Sequence, residues 1–240
     1  MSHWRTDRPE RIILVRHGES MGNQNKDAYG QTPDSQIKLT DRGFAQSAVC
    51  GLKLRKLIGN ETVRFFHSPY MRARQSMFAI LKAFDGLTVQ VSSEPRLREQ
   101  DFGNFQDPSK MASVMDDRSR FGRFFYRFEN GEAGTDVFDR MATFIAYLFR
   151  TMGSTGYFQL AQTPMEEGSG ARGLSRWGAR LGSRPKPVQN YVLVTHGLLM
   201  RIFCMCYFRW TVTEFEEVWN PSNGDIWVLQ KVQGKPEPTL

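Results

Sequence analysis

Nowhere in these 240 residues does an apolar run approach the ~20 residues that span a bilayer. The opening Met1–Arg5 carries no signal-peptide core. No transmembrane segment is therefore expected, and the cytoplasm is the simplest compartment. Cysteine is scarce: Cys50, Cys204 and Cys206 make no disulfide framework. The last two lie inside the apolar run 198–208, which reads as a buried helix rather than a metal site. Histidine is nearly as scarce, with four in the chain. His3 and His67 lack ligand-like neighbours, so no metal or other cofactor is expected. A net charge of +7 comes without any nucleic-acid-binding motif. An anionic small molecule accounts for that charge, and nucleic acid is not expected as a partner.

The remaining two histidines share a context. Ile12-Ile13-Leu14-Val15 runs into Arg16-His17-Gly18-Glu19, and Val192-Leu193-Val194 runs into Thr195-His196-Gly197. Each is a strand-like run closed by histidine and glycine. Strand ends are where open α/β sheets bind ligands, and the glycine allows a sharp turn beside the imidazole. If the two strands lie together, two imidazoles and a guanidinium share one crevice. A neutral imidazole can attack phosphorus and hold the phosphoryl group covalently. Arginine recognises phosphate oxygens through paired hydrogen bonds and disfavours protonation of a neighbouring imidazole. His196, if protonated, would add positive charge for the transferring phosphoryl group.

Strands are predicted near 11–16, 62–67, 88–91, 190–195 and 225–231, and helices near 40–58, 69–84, 108–127, 135–151 and 197–208. Thr40 is predicted to cap the first of these helices, with Asp41 opening its first turn. This alternation implies a largely parallel sheet covered on both faces, and the length fits one α/β domain over 1–240. Gln162–Pro187 is rich in glycine and arginine and is expected to be a disordered basic insertion.

Arg16-His17-Gly18-Glu19-Ser20 with Asn23 resembles the signature of the histidine phosphatase superfamily, in its phosphoglycerate mutase-like branch. Leu39-Thr40-Asp41-Arg42-Gly43 with Gln46, His67 through Ala73, Leu97 through Gly103, Gly131-Glu132 and Asn220 through Gly224 are similar to further pieces of that family in the same order. The resemblance implies a three-layer α/β/α sandwich with a mixed, mostly parallel sheet. It implies His17 as the phosphorylated nucleophile, and Arg16, Arg72, His196 and Asn23 as the phosphate pocket. Glu99 would be the proton donor, with Asp101 a rival on the same loop. Arg74 also lies close in sequence, but on a helix it points about 200° away from Arg72. No metal is implied, because guanidinium groups take its role.

The excursion 95–152 is implied to cap the pocket and to help choose a phosphorylated small-molecule substrate. Within it, Phe121–Phe128 interleaves aromatics with Arg123 and Arg127, either as a lid wall or as a packed helix. Hydrolysis of phosphomonoesters through a phosphohistidine is the leading implication. Phosphoglycerate mutase is the alternative, and a non-catalytic phospho-ligand-binding protein a third. Mutases of this family carry an Arg-Arg pair in the excursion and a tyrosine where this chain has Phe102. Neither feature is found here.

Overall fold

The computed structural model describes residues 9–152 and 187–231. Five strands make one sheet: β1 (Arg11–Arg16), β2 (Val63–His67), β3 (Gln90–Ser93), β4 (Asn190–Thr195) and β5 (Ile226–Gln230), in the order β3-β2-β4-β1-β5. All neighbours are parallel except β5, which runs antiparallel to β1. The sheet is therefore mixed and mostly parallel, as expected. Among the described residues, no helix is long and apolar enough to cross a membrane.

The central strands are apolar on both faces because both faces are covered. Ile13 and Val15 of β1, Val63 and Phe65 of β2, and Val192 and Val194 of β4 point to one side. There they meet Cys50, Leu54 and Ile58 of α3 (Asp41–Ile58) and Met77 and Ile80 of α4 (Met71–Leu81). The alternate residues Ile12, Leu14, Phe66, Tyr191 and Leu193 face the other layer. That layer holds α6 (Gly134–Met152) and α7 (Gly197–Phe208), which supply Val137, Met141, Phe144, Leu199 and Phe203. Three layers result from a period-2 pattern read on two sides.

Local signals explain the ends of elements. The Thr40 side chain accepts from the Gly43 amide and caps α3. The helix predicted over 108–127 stops at Phe121 as α5 (Pro108–Phe121), because Gly122 turns the chain with φ of 105°. The third strand starts two residues later than predicted, at Gln90. Three short helices were not anticipated: α1 (Met21–Gln24), α2 (Ala28–Gln31) and α8 (Val212–Glu217). Each spans less than two turns, too little for a hydrophobic period to register. Residues 162–186 of the expected basic insertion lie outside the described residues.

One close approach ties the His17 turn to the body. A Cβ on Gly43 would stand 2.0 Å from the Glu19 carbonyl oxygen, and one on Gly18 would stand 2.2 Å from that of Gly43. Both obstacles are backbone, so neither can swing aside. Gly43→Ala is expected to cost about 1–3 kcal/mol of stability, the range of an overpacked core site. Urea denaturation checks this, and a loss below about 0.5 kcal/mol would contradict it.

Candidate active site

Parallel pairing puts the two His-Gly corners side by side. Arg16 is in register with Thr195, and the His17 amide donates to the Thr195 carbonyl at 2.9 Å. The imidazoles of His17 and His196 then stand edge to face, with centroids 5.1 Å apart. From the next strand, β2, Ser68 follows His67, and its Oγ lies 2.8 Å from Nε2 of His196. His67 turns its own ring back to the Ser68 carbonyl and takes no part in the cavity.

Hydrogen bonding sets the reactive atom of His17. Its Nδ1 lies 2.6 Å from the Gly18 carbonyl oxygen, an acceptor only, so Nδ1 carries the proton. The Nε2 lone pair is left free and receives Arg72 Nε at 3.3 Å. Burial foremost, then the Arg72 and Arg16 charges, hold the His17 pKa well below its ordinary 6.5. The imidazole is thus neutral and nucleophilic at Nε2.

His196 departs from expectation. Burial, then Arg72 and His17, press its pKa well below 6.5 as well, so it is a neutral ring rather than an added charge. Its buried Nδ1 has no hydrogen-bond partner and lies 3.8 Å from Glu99 Oε2. Its Nε2 faces Ser68 Oγ, and its Nδ1 faces the Glu99 carboxyl.

A cavity of 480 Å³ opens above these groups, and Arg16, His17, Asn23, Arg72 and Glu99 all line it. The expected residues are therefore together, with His196 directly behind His17. The Asn23 Oδ1 accepts from the Ser20 amide and from Asn223 Nδ2, so its own NH₂ is what Asn23 can offer a ligand. Arg16 is anchored to the Pro221 carbonyl. Arg74, as expected from helix geometry, is exposed on the far side of α4.

Glu99 is one of three carboxylates that line the cavity, with Asp27 and Asp34. Burial raises its pKa, against the pull of the Arg72 charge. Asp101 instead accepts from the Gly103 amide and does not line the cavity. The loop that carries Glu99 is held through its backbone. Arg140 of α6 donates to the carbonyls of Arg96, Arg98 and Glu99 at 2.6, 2.9 and 3.2 Å. Glu132 in turn orients Arg140, and Thr195 Oγ1 holds the Leu97 carbonyl at 2.9 Å.

Sequence reasoning missed Asp34. Its carboxylate grips the Arg72 fork, with Nη1 to Oδ1 at 2.6 Å and Nη2 to Oδ2 at 3.3 Å, while its carbonyl accepts from Nη1 at 2.7 Å. Burial opposes the Arg72 charge, yet Asp34, with Tyr29 and Glu99, outweighs it and leaves that pKa raised. Held at its far end, the guanidinium keeps Nε toward His17. Asp34 sits in the Asp34–Gln36 turn between short elements, where no periodicity marks it.

Of the two readings of Phe121–Phe128, the packed one holds, although the helix ends at Phe121. Phe124 and Phe128 are buried in the core, Arg123 pairs with Glu216 and Arg127 with Asp136, and none of the segment lines the cavity. Its place is taken by Pro108, Met111, Ala112 and Met115 of α5, with Phe102 and Gln106. Among the described residues, no cluster of three or more His, Cys, Asp or Glu side chains could hold a metal ion.

The family description "Histidine phosphatase superfamily (branch 1)" matches residues 12–156. The chain belongs to that superfamily. Phosphoglycerate mutase-like protein AT74 of Arabidopsis thaliana is 41% identical over 94% of this chain and 66% of its own length. This chain thus spans just under two thirds of that relative. The Saccharomyces cerevisiae protein named broad-range acid phosphatase DET1 is 30% identical over 93% of this chain and 86% of its own. Among solved structures, a mycobacterial glucosyl-3-phosphoglycerate phosphatase complexed with VO₃ superposes with a TM-score of 0.63. It is 21% identical, over 92% of this chain and 91% of that one. An α-ribazole phosphatase from Shigella flexneri gives 0.62 at 18% identity, over 93% and 91%. At such identities these structures share the histidine phosphatase fold.

Asp34→Ala frees a buried guanidinium from its only carboxylate partner among the hydrogen bonds described. We expect kcat/KM for an aryl phosphate to fall about 10- to 100-fold, the scale of a misplaced active-site group. Inhibition by orthovanadate should weaken in parallel. A tightened vanadate inhibition constant would show that Asp34 only repels the incoming anion.

Proposed function

We propose that the protein is a phosphatase that hydrolyses phosphomonoesters of small molecules through a phosphohistidine at His17 Nε2. The observation that carries this reading is the His17 ring itself: Nδ1 tied to a backbone carbonyl, and the Nε2 lone pair turned to Arg72 Nε at a cavity that also holds Arg16 and Glu99. A cytoplasmic setting, expected from composition, belongs to the same proposal.

The phosphoryl group binds among Arg72 Nε, the Arg16 guanidinium and the Asn23 amide, with the His196 ring packed behind His17. These donors are fixed before the anion arrives, so stabilising its spreading charge costs little reorganisation. The Nε2–phosphorus bond forms as the bond from phosphorus to the ester oxygen breaks. Glu99, protonated because burial raises its pKa, gives its proton to that oxygen. As a carboxylate it then takes a proton from water, whose oxygen attacks phosphorus and releases His17 and inorganic phosphate.

Hydrolysis is favoured over mutase chemistry by the arginines of the excursion. Arg118 lies against the rings of Phe102 and Phe128, Arg120 pairs with Asp116 and Asp117, and Arg123 and Arg127 are paired as above. None lines the cavity to hold a second acidic group. A merely phosphate-binding role is disfavoured because nucleophile and proton donor share the cavity.

His17→Ala should abolish covalent labelling by a radioactive phosphoryl donor, and equal labelling of the variant would remove His17 as nucleophile. Glu99→Gln should slow alkyl phosphate turnover by about 10²- to 10⁴-fold and p-nitrophenyl phosphate far less, because that leaving group needs little protonation.

The pH dependence has a definite sign. His17 must be neutral, and its depressed pKa keeps it so well below pH 6.5. Glu99 must be protonated, and its raised pKa keeps it so above the usual carboxyl range. The kcat/KM of the wild type is expected to be highest in acid and to fall as pH rises through the Glu99 pKa. That falling limb should be absent in Glu99→Gln, and its persistence there would assign it to another group.

A further inference from the structure

The helix α5 has an apolar stripe with no core beneath it. Pro108, Met111, Ala112 and Met115 recur at i, i+3, i+4 and i+7, the spacing of one helix face. Yet none of the helix's fourteen residues is buried. By contrast, α6 uses the same kind of spacing to bury Val137, Met141, Phe144 and Leu148. Helices in proteins take most of their stability from packing such a face, and here the stripe faces the cavity.

The cavity's other sides are polar. Its floor is Arg16, His17, Arg72 and Glu99, and Lys26, Asp27 and Tyr29 also line it. A phosphoryl group on the floor leaves its organic remainder against α5 and Phe102. At 480 Å³ the space far exceeds a phosphate and falls within the size of ordinary ligand pockets. Two of the four stripe residues are methionine, whose unbranched thioether adapts to varied shapes.

We infer that the leaving group is an apolar alcohol or phenol seated on the Pro108–Met115 stripe, so that the site takes alkyl and aryl phosphomonoesters in preference to polyol phosphates. The inference rests on the phosphatase reading above and names the substrate class for it. The stripe supplies the contact that a sugar's hydroxyls would have to forfeit water to make.

The test uses the full-length chain and measures phosphate release from ethyl, butyl and hexyl phosphate, with glycerol 3-phosphate and glucose 6-phosphate beside them. All five are esters of alcohols, so intrinsic reactivity is similar. The kcat/KM should rise about two- to fourfold per added methylene, fourfold being the value for full burial. Hexyl phosphate should exceed both polyol esters by at least about tenfold on the same scale. Met115→Gln should flatten the chain-length slope, while the volume-conserving Met115→Leu should keep it. Release from every ester with no slope, or a preference for the polyol esters, would overturn this inference and leave the phosphatase standing. No release from any ester, p-nitrophenyl phosphate included, would overturn both.

Discussion

The in-register parallel pairing of β1 with β4 is the constraint on which the site depends. Because Arg16 lies opposite Thr195, the next residue of each strand is a histidine, and the two rings meet at 5.1 Å. A slip of one residue would turn every side chain of β1 to the other face. Ile13 and Val15 would then leave the α3–α4 layer, so the core forbids the slip. The geometry of the two imidazoles is thus enforced by buried aliphatic residues several ångströms away. Glycine at both corners completes the arrangement, and Gly18 packs against the Gly43 carbonyl where no side chain fits.

Around that pair, burial moves acids and bases in opposite directions, while guanidinium charge lowers the pKa of both. The same burial that lowers the pKa of both imidazoles raises that of Glu99. Buried guanidinium charge survives there because each arginine has a partner in the protein. Asp34 grips Arg72, and the Pro221 carbonyl anchors Arg16. A phosphate dianion entering the cavity therefore meets donors that are already oriented. The protein has borne their desolvation during folding rather than during reaction.

Much of this was legible in the order of residues. The five strands and the five long helices follow from apolar period and turn residues, and the His-Gly corners mark their own position at strand ends. Arg72 was separable from Arg74 by helix geometry alone, and Glu99 from Asp101 only once the loop's hydrogen bonds were seen. Three things escaped. Asp34 acts from a short turn with no period. The neutrality of His196 depends on complete burial beside Arg72, which spacing does not encode. The aromatic run Phe121–Phe128 left lid wall and packed helix both open, and only the fold shows that Gly122 ends the helix and that Phe124 and Phe128 point inward. The stripe that does line the cavity was written plainly at 108, 111, 112 and 115, but an apolar stripe on a helix ordinarily means core.

The grip of Arg140 on three carbonyls has a consequence for how this sequence can vary. A loop held by its side chains loses its shape when those side chains change. This one is held at the main-chain oxygens of Arg96, Arg98 and Glu99, which every amino acid possesses. Substitution in the following stretch, from Asp101 through Gln106, can therefore reshape the mouth of the cavity without moving Glu99. Chemistry and selectivity are mechanically uncoupled at that point, which lets one catalytic frame diverge in what it accepts.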